Sequence, residues 1–135
     1  MVTLSAPLRP SRDSANGFTL IELLVVLAIV STLLLMVAPR YWSQVDHAKE
    51  AVLRDNLRGT RHVIDTFYGD RGRYPQSLEE LVEQHYLRAV PIDPLTGQSN
   101  TWTLVAPPDG QEGAVSDLRS GAQGTASDGR PYTQW

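Results

Sequence analysis

The chain contains no cysteine. No disulfide can staple it and no thiol chemistry is available, although the absence is compatible with any redox compartment. It also lacks a basic surplus, since 15 acidic residues face 12 basic ones for a formal net charge of −3. Phosphate-binding domains usually carry an excess of positive charge, so nucleic acid is not an expected partner. Lysine is nearly missing, with Lys49 alone among the basic residues; no physical argument accounts for that bias. Catalytic motifs are absent too. His47, His62 and His85 accompany no Gly-x-Ser-x-Gly elbow, no phosphate loop and no His-Glu-x-x-His pair, so enzymatic activity is not expected.

What the chain does have is one long apolar run. From Phe18 to Ala38 the polar exceptions are Thr19, Ser31, Thr32 and one carboxylate, Glu22. Roughly 20 residues at about 1.5 Å each suffice to cross a bilayer core as a helix. An ionised carboxylate alone in hydrocarbon is unfavourable by several kcal/mol or takes up a proton, which makes Glu22 a functional candidate. Ahead of the run, Pro7 and Pro10 discourage a helix, while Arg9 and Arg12 resemble the basic region of an export signal. They favour a cytoplasmic N-terminus, modestly, because Asp13 and Arg40 offset the bias. Ordinary signal cleavage would need a small-x-small site after the run. Met36-Val37-Ala38 lacks the first small residue and precedes Pro39, so the run is expected to be retained. The small residue available for a cut is Gly17, on the other side.

Pro39 removes one helical hydrogen bond and predicts a kink in a helix that continues. Beyond it, Tyr41, Val45, Ala48, Val52, Leu53, Leu57, Thr60, Ile64 and Phe67 recur at helical spacing. The opposite face carries Asp46, Lys49, Glu50, Arg54, Asp55, Arg58, Arg61 and Asp65, with Glu50 and Arg54 as a predicted i,i+4 pair. The stretch Gly69 to Pro75 ends the helix. Ser77 and Glu80 then form a capping box for a short helix reaching to about Leu87, with Leu78, Leu81, Val82 and His85 on one face. Thr101–Val105 alternates as a strand with Trp102 and Leu104 inward, Pro107–Gly110 turns, and Ala114–Leu118 supplies a second strand. So small a sheet needs cover, which the apolar stripe of the long helix provides. Tyr132 and Trp135 are expected to tack down the Gly- and Ser-rich tail. The predicted fold is α+β: a long N-terminal helix, membrane-spanning then amphipathic, with a short helix and a small antiparallel sheet packed on its distal half.

Gly17-Phe18-Thr19-Leu20-Ile21-Glu22 resembles the processing motif of type IV prepilins and type II secretion pseudopilins. In that family a membrane-embedded aspartyl prepilin peptidase cuts after the glycine and methylates the new amine. The resemblance implies a leader over residues 1–17, an assembly and membrane half of the helix over 18–38, an amphipathic half over 39–69, and a periplasmic head over 70–135. Further along, Arg73-Tyr74-Pro75, Asp93-Pro94, Trp102 to Val105, Asp117-Leu118-Arg119-Ser120 and Gly121-Ala122-Gln123-Gly124 are similar to the corresponding turns and strands of G-type pseudopilins. The likeness is strong at the N-terminus and loose at the C-terminus.

This family membership would make the chain a subunit of a helical homo-oligomeric filament, the pseudopilus, that drives protein export by a type II secretion system. Its expected partners are the prepilin peptidase, minor pseudopilins, an inner-membrane platform protein and a cytoplasmic secretion ATPase. The expected location is the bacterial inner membrane, crossed once, with the N-terminus cytoplasmic and the head periplasmic. Glu22 of an incoming subunit would meet the Phe18 amine of a neighbour; a one-residue slip would leave two unpaired charges, so the pair sets register. The resemblance also implies a Ca²⁺ in the C-terminal loop, for which Asp117 and Asp128 are the candidate ligands. Calcium takes about six to eight oxygens, and Gln123 stands where that family has an acid, so the ligand count favours solvated aspartates. Two other readings stay open: a subunit of a true type IV pilus, many of which carry a disulfide that this chain cannot form, and a membrane-anchored binding module that does not polymerise. Arg54, Arg58 and Arg61 share a helical face, but acids lie among them, so salt bridges to neighbouring subunits are expected there in preference to nucleic acid.

Overall fold

A helix start leaves four N–H groups without intrahelical partners, and this chain supplies an acceptor at Thr19. In the computed structural model, which describes residues 2–4 and 16–135, the Glu22 N–H donates to Thr19 Oγ1 at 3.2 Å. Helix α1 runs from there over Leu20–Arg71, 52 residues that include Pro39. Arg9, Arg12 and the two leader prolines lie outside the described residues. The chain falls into two compact units, Met1–Pro39 and Arg40–Trp135.

In the first unit, the large apolar side chains of α1 range from 45% exposed at Val30 to 78% at Leu20. Soluble monomers rarely present so much contiguous apolar surface, which marks contact with a membrane or with other proteins. The helix is long and apolar enough to cross a membrane. Thr32 needs no outside partner, because its hydroxyl donates to the Ala28 carbonyl at 2.8 Å.

In the second unit, α1 buries Glu50, Leu53, Leu57, Thr60, Ile64 and Phe67, spaced alternately by three and four residues along one stripe. Leu78, Leu81, Trp102, Val115, Leu118, Tyr132 and Trp135 complete the core against it. Tyr41 and Val52, expected on the covered face, are 60% and 50% exposed. Their place is taken by Glu50, which departs from the simple apolar pattern.

The helix ends two residues later than the first glycine signal. Gly69 stays helical, and Gly72, at φ 71°, supplies the left-handed stop. Its N–H donates to the Tyr68 carbonyl at 2.8 Å. Helix α2 covers Leu78–Glu83, with Ser77 Oγ accepting from the Glu80 N–H as the cap. The Glu80 carboxylate reaches back to the Gln76 N–H at 2.6 Å and is held by Arg73 at 2.6 Å. α2 stops short of Leu87 for a specific reason. His85 adopts φ 64°, its N–H meets Val82 O, and the Tyr86 N–H meets Leu81 O, closing a Schellman turn without glycine. His85 is therefore an exposed cap residue, not part of a helical face.

Strands β1 (Thr103–Val105) and β2 (Asp117–Arg119) pair antiparallel, with Leu104 opposite Leu118. The second strand begins later than expected. The N–H groups of Ala114 and Val115 both donate to the Pro75 carbonyl at 3.0 Å, so that stretch joins the turn after α1 and not β1. Trp102 is buried as expected, whereas Leu104 is 44% exposed at the edge of the sheet. A 3₁₀ turn over Tyr132–Gln134 closes the tail. There the Tyr132 and Trp135 rings meet edge to face at 5.8 Å.

Candidate functional site

Residues 16–19 are neither helix nor strand, and α1 begins only at Leu20. The Gly17–Phe18 peptide bond thus lies in non-helical chain. Phe18 is 85% exposed, and a Cβ at Gly17 would touch nothing within 4 Å. Glu22 occupies the first helical turn, where unpaired N–H groups and the helix dipole favour an anion. Thr19-x-x-Glu22 has capping-box spacing. That spacing is the signal by which Thr19 joins the motif as the helix cap, a role that reading the apolar run alone does not reveal.

The head is held together by two buried carboxylates. Asp93 is fully buried. Its Oδ1 accepts from the Leu95 N–H at 2.8 Å and its Oδ2 from the Ser120 hydroxyl at 2.6 Å. Ser120 Oγ in turn accepts from the Ala122 N–H at 3.1 Å. The Asp-Pro turn and the Asp117–Ser120 strand, two segments singled out separately in the sequence, are thereby joined.

Glu50 is the second. It lies 5% exposed, with Oε1 accepting from the Ser127 N–H at 2.8 Å and the Tyr132 hydroxyl at 2.9 Å. Oε2 accepts from the Ser127 hydroxyl at 2.5 Å. Chiefly the Ser127 hydroxyl, helped by its N–H, Tyr132 and His47, holds the Glu50 carboxyl below its ordinary range against the opposing effect of burial. Burial, with Glu50 beside it, pushes the Tyr132 hydroxyl up to about 12. The expected Glu50–Arg54 surface pair does not form. Glu50 turns inward to the tail, and the Arg54 guanidinium lies 4.6 Å from the Trp135 ring centre instead. Sequence spacing alone misses this because both the donors and the ring come from residues far along the chain.

Asp117 and Asp128 are each engaged by arginine. Arg61 Nε lies 2.6 Å from Asp117 Oδ1, and Arg130 donates to Asp128 Oδ2 through Nε at 2.9 Å and a terminal nitrogen at 2.7 Å. The Arg130 N–H, then its side chain, keeps the Asp128 carboxyl below its usual range. Among the described residues no three His, Cys, Asp or Glu side chains gather as a metal site would require. Gln123 is exposed. With both carboxylates committed to guanidiniums, this donor set does not fit the six or more oxygens that calcium takes.

A family model described as a prokaryotic N-terminal methylation motif matches residues 12–38. The type II secretion system core protein G of Pseudomonas aeruginosa is 31% identical over 129 residues, covering 84% of this chain and 87% of the relative. The protein of the same name from Escherichia coli is 28% identical, covering 91% and 92%. A prepilin peptidase-dependent protein A of Clostridium perfringens is 47% identical over 54 residues, covering 40% of this chain and 39% of the relative. No solved structure matches.

Proposed function

Because the chain belongs to the type II secretion system core protein G family, the G-type pseudopilins, we propose that it is cut after Gly17, methylated on the Phe18 amine, and polymerised through α1 into a periplasmic filament. The filament serves protein export and is not itself an enzyme. Its apolar helix is a single membrane anchor before assembly and the filament core after it. The N-terminus faces the cytoplasm and the head the periplasm. A prepilin peptidase processes it, and a platform protein, a cytoplasmic ATPase and minor pseudopilins act on its assembly.

One observation carries this reading. The bond after Gly17 sits in exposed non-helical chain, and two residues later a helix capped by Thr19 presents Glu22 in its first turn. Cutting there leaves cap and carboxylate intact and creates a positive amine within reach of an anionic partner. Paired with Glu22 of a neighbour, that amine is neutralised in the apolar core. Mass spectrometry of the membrane-extracted chain tests the cut: the expected N-terminus is methylated Phe18. Replacing Glu22 with Gln or Val tests the pairing, with filament yield as the measure. Normal filaments from both variants would sink it.

A further inference from the structure

Trp42 stands apart from the other tryptophans of the chain. Trp102 and Trp135 are 8% and 7% exposed and belong to the head core, whereas Trp42 is 66% exposed. Tyr41 beside it is 60% exposed, and the two rings meet edge to face at 5.9 Å. Neither belongs to the stripe that α1 buries, which starts at Glu50. Successive residues of a helix point about 100° apart, so the pair presents a wide aromatic face.

The position of that face gives it a partner. The apolar run ends at Ala38, and Pro39, Arg40, Tyr41 and Trp42 follow before the polar residues Ser43, Gln44, Asp46 and His47 begin. Tyrosine and tryptophan combine an apolar ring with a polar tip, and they concentrate where the hydrocarbon of a bilayer meets water. Arg40, also exposed, suits the same layer, because its stem lies along apolar surroundings while its guanidinium reaches water. The uncharged span is also short. Leu23 to Ala38 is roughly 16 residues, about 24 Å of helix, against a hydrocarbon core of about 30 Å. Mismatch of this size costs little, so hydrophobicity fixes the depth of the span loosely and interfacial aromatics and arginines fix it closely. We propose that Arg40, Tyr41 and Trp42 form an interfacial anchor that seats in the headgroup layer of the bilayer and sets the depth of the unassembled subunit. Held at that end, the short span leaves Glu22 at the opposite boundary, where water reaches its carboxylate before any neighbour arrives. One arginine, followed by Asp46 and Lys49, gives no cluster of positive charge, so the anchor recognises the interface and not anionic lipid.

The anchor rests on the membrane-spanning reading of α1, and the test separates the two. The uncut full chain is reconstituted at high dilution in phosphatidylcholine vesicles whose acyl chains carry bromine either near the headgroup or near the methyl end. The difference in emission between the parent and Trp42→Phe isolates Trp42 from the buried Trp102 and Trp135. Shallow bromines should quench that difference about threefold more than deep ones, with the same ratio when phosphatidylglycerol is added. A depth reporter can be placed freely, since the chain has no cysteine: Ser43→Cys, at an exposed position, is labelled with a membrane-impermeant maleimide. Tyr41→Leu together with Trp42→Leu keeps the face apolar but removes both polar tips, so the span should sink and the labelling should slow about fivefold. Equal quenching from both depths, quenching by aqueous iodide alone, or unchanged labelling in the leucine pair would overturn the anchor and leave the span standing. Release of the parent chain from the vesicles by alkaline carbonate would overturn the span itself, and the anchor with it.

Discussion

The hydroxyl of Ser120 donates to Asp93 Oδ2 at 2.6 Å, and both residues are 0% exposed. A buried carboxylate depends on donors to meet its oxygens, so removing one of them leaves that oxygen unsatisfied and exposes its desolvation penalty. Ser120→Ala should therefore destabilise the head by about 2–3 kcal/mol, at the charged end of the range for a lost hydrogen bond. Urea denaturation of the full chain in detergent, followed by tryptophan fluorescence, measures it. Thr133→Ala, at an exposed position of the tail turn, should change the midpoint little.

Stability should fall at both ends of the pH scale. The Glu50 carboxyl is held below its unfolded value of 4.5, so its contribution is complete above that value and is lost as the pH drops through the lower folded one. Glu80, depressed chiefly by its bond from Arg73, adds to the same acid limb. Tyr132 behaves in the opposite sense. Its folded value is raised from 10.0 to about 12, so its contribution is complete below pH 10.0 and is lost as the pH rises through that interval. Thermal melts across pH should show both limbs. Glu50→Gln should shallow the acid limb, and Tyr132→Phe the alkaline one.

Gly121 lies against the Thr101 carbonyl, and a Cβ added there would sit inside the van der Waals radius of that oxygen. The oxygen belongs to the backbone just before β1 and cannot swing aside as a side chain would. Gly121→Ala should cost about 2–3 kcal/mol, in the range of overpacking. Gly129→Ala meets no atom within 4 Å but has φ 83°, so its smaller cost, about 1 kcal/mol, comes from left-handed backbone alone. Comparing the two denaturation midpoints separates steric from conformational strain.

Asp117 and Asp128 are satisfied by arginine, so chelation should leave the head undisturbed. The expected result is a melting temperature unchanged by EDTA and not raised by millimolar calcium. A rise with calcium would mean that the Arg61 and Arg130 pairs open in favour of the ion.

The long helix, its amphipathic stripe, the Ser77 cap and the buried Trp102 and Tyr132 were legible in the sequence, because each depends on neighbours within a turn or two or on a bulky apolar side chain. Glu50 was not. Its spacing to Arg54 suits a surface pair, and only Ser127 and Tyr132, brought in by the tail, make an inward position favourable. His85 escaped for a local reason, since a non-glycine residue in the left-handed region has no side-chain signature. The later start of β2 followed from Pro75, whose carbonyl takes up the N–H groups of Ala114 and Val115. At the start of α1, the capping-box spacing of Thr19 and Glu22 is visible in the sequence, and the hydrogen bond between them makes Thr19 the helix cap.

The contact between Glu50 and the tail also governs when the head can finish folding. Ser127 and Tyr132 lie 77 and 82 positions after Glu50, and Tyr132 and Trp135 line the core against α1. While the chain is still being synthesised from its N-terminal end, the carboxylate of Glu50 waits without its donors and Leu53 and Leu57 lack part of their cover. The head therefore closes late, after residues 127–135 have been made, and the nascent chain stays pliable until then.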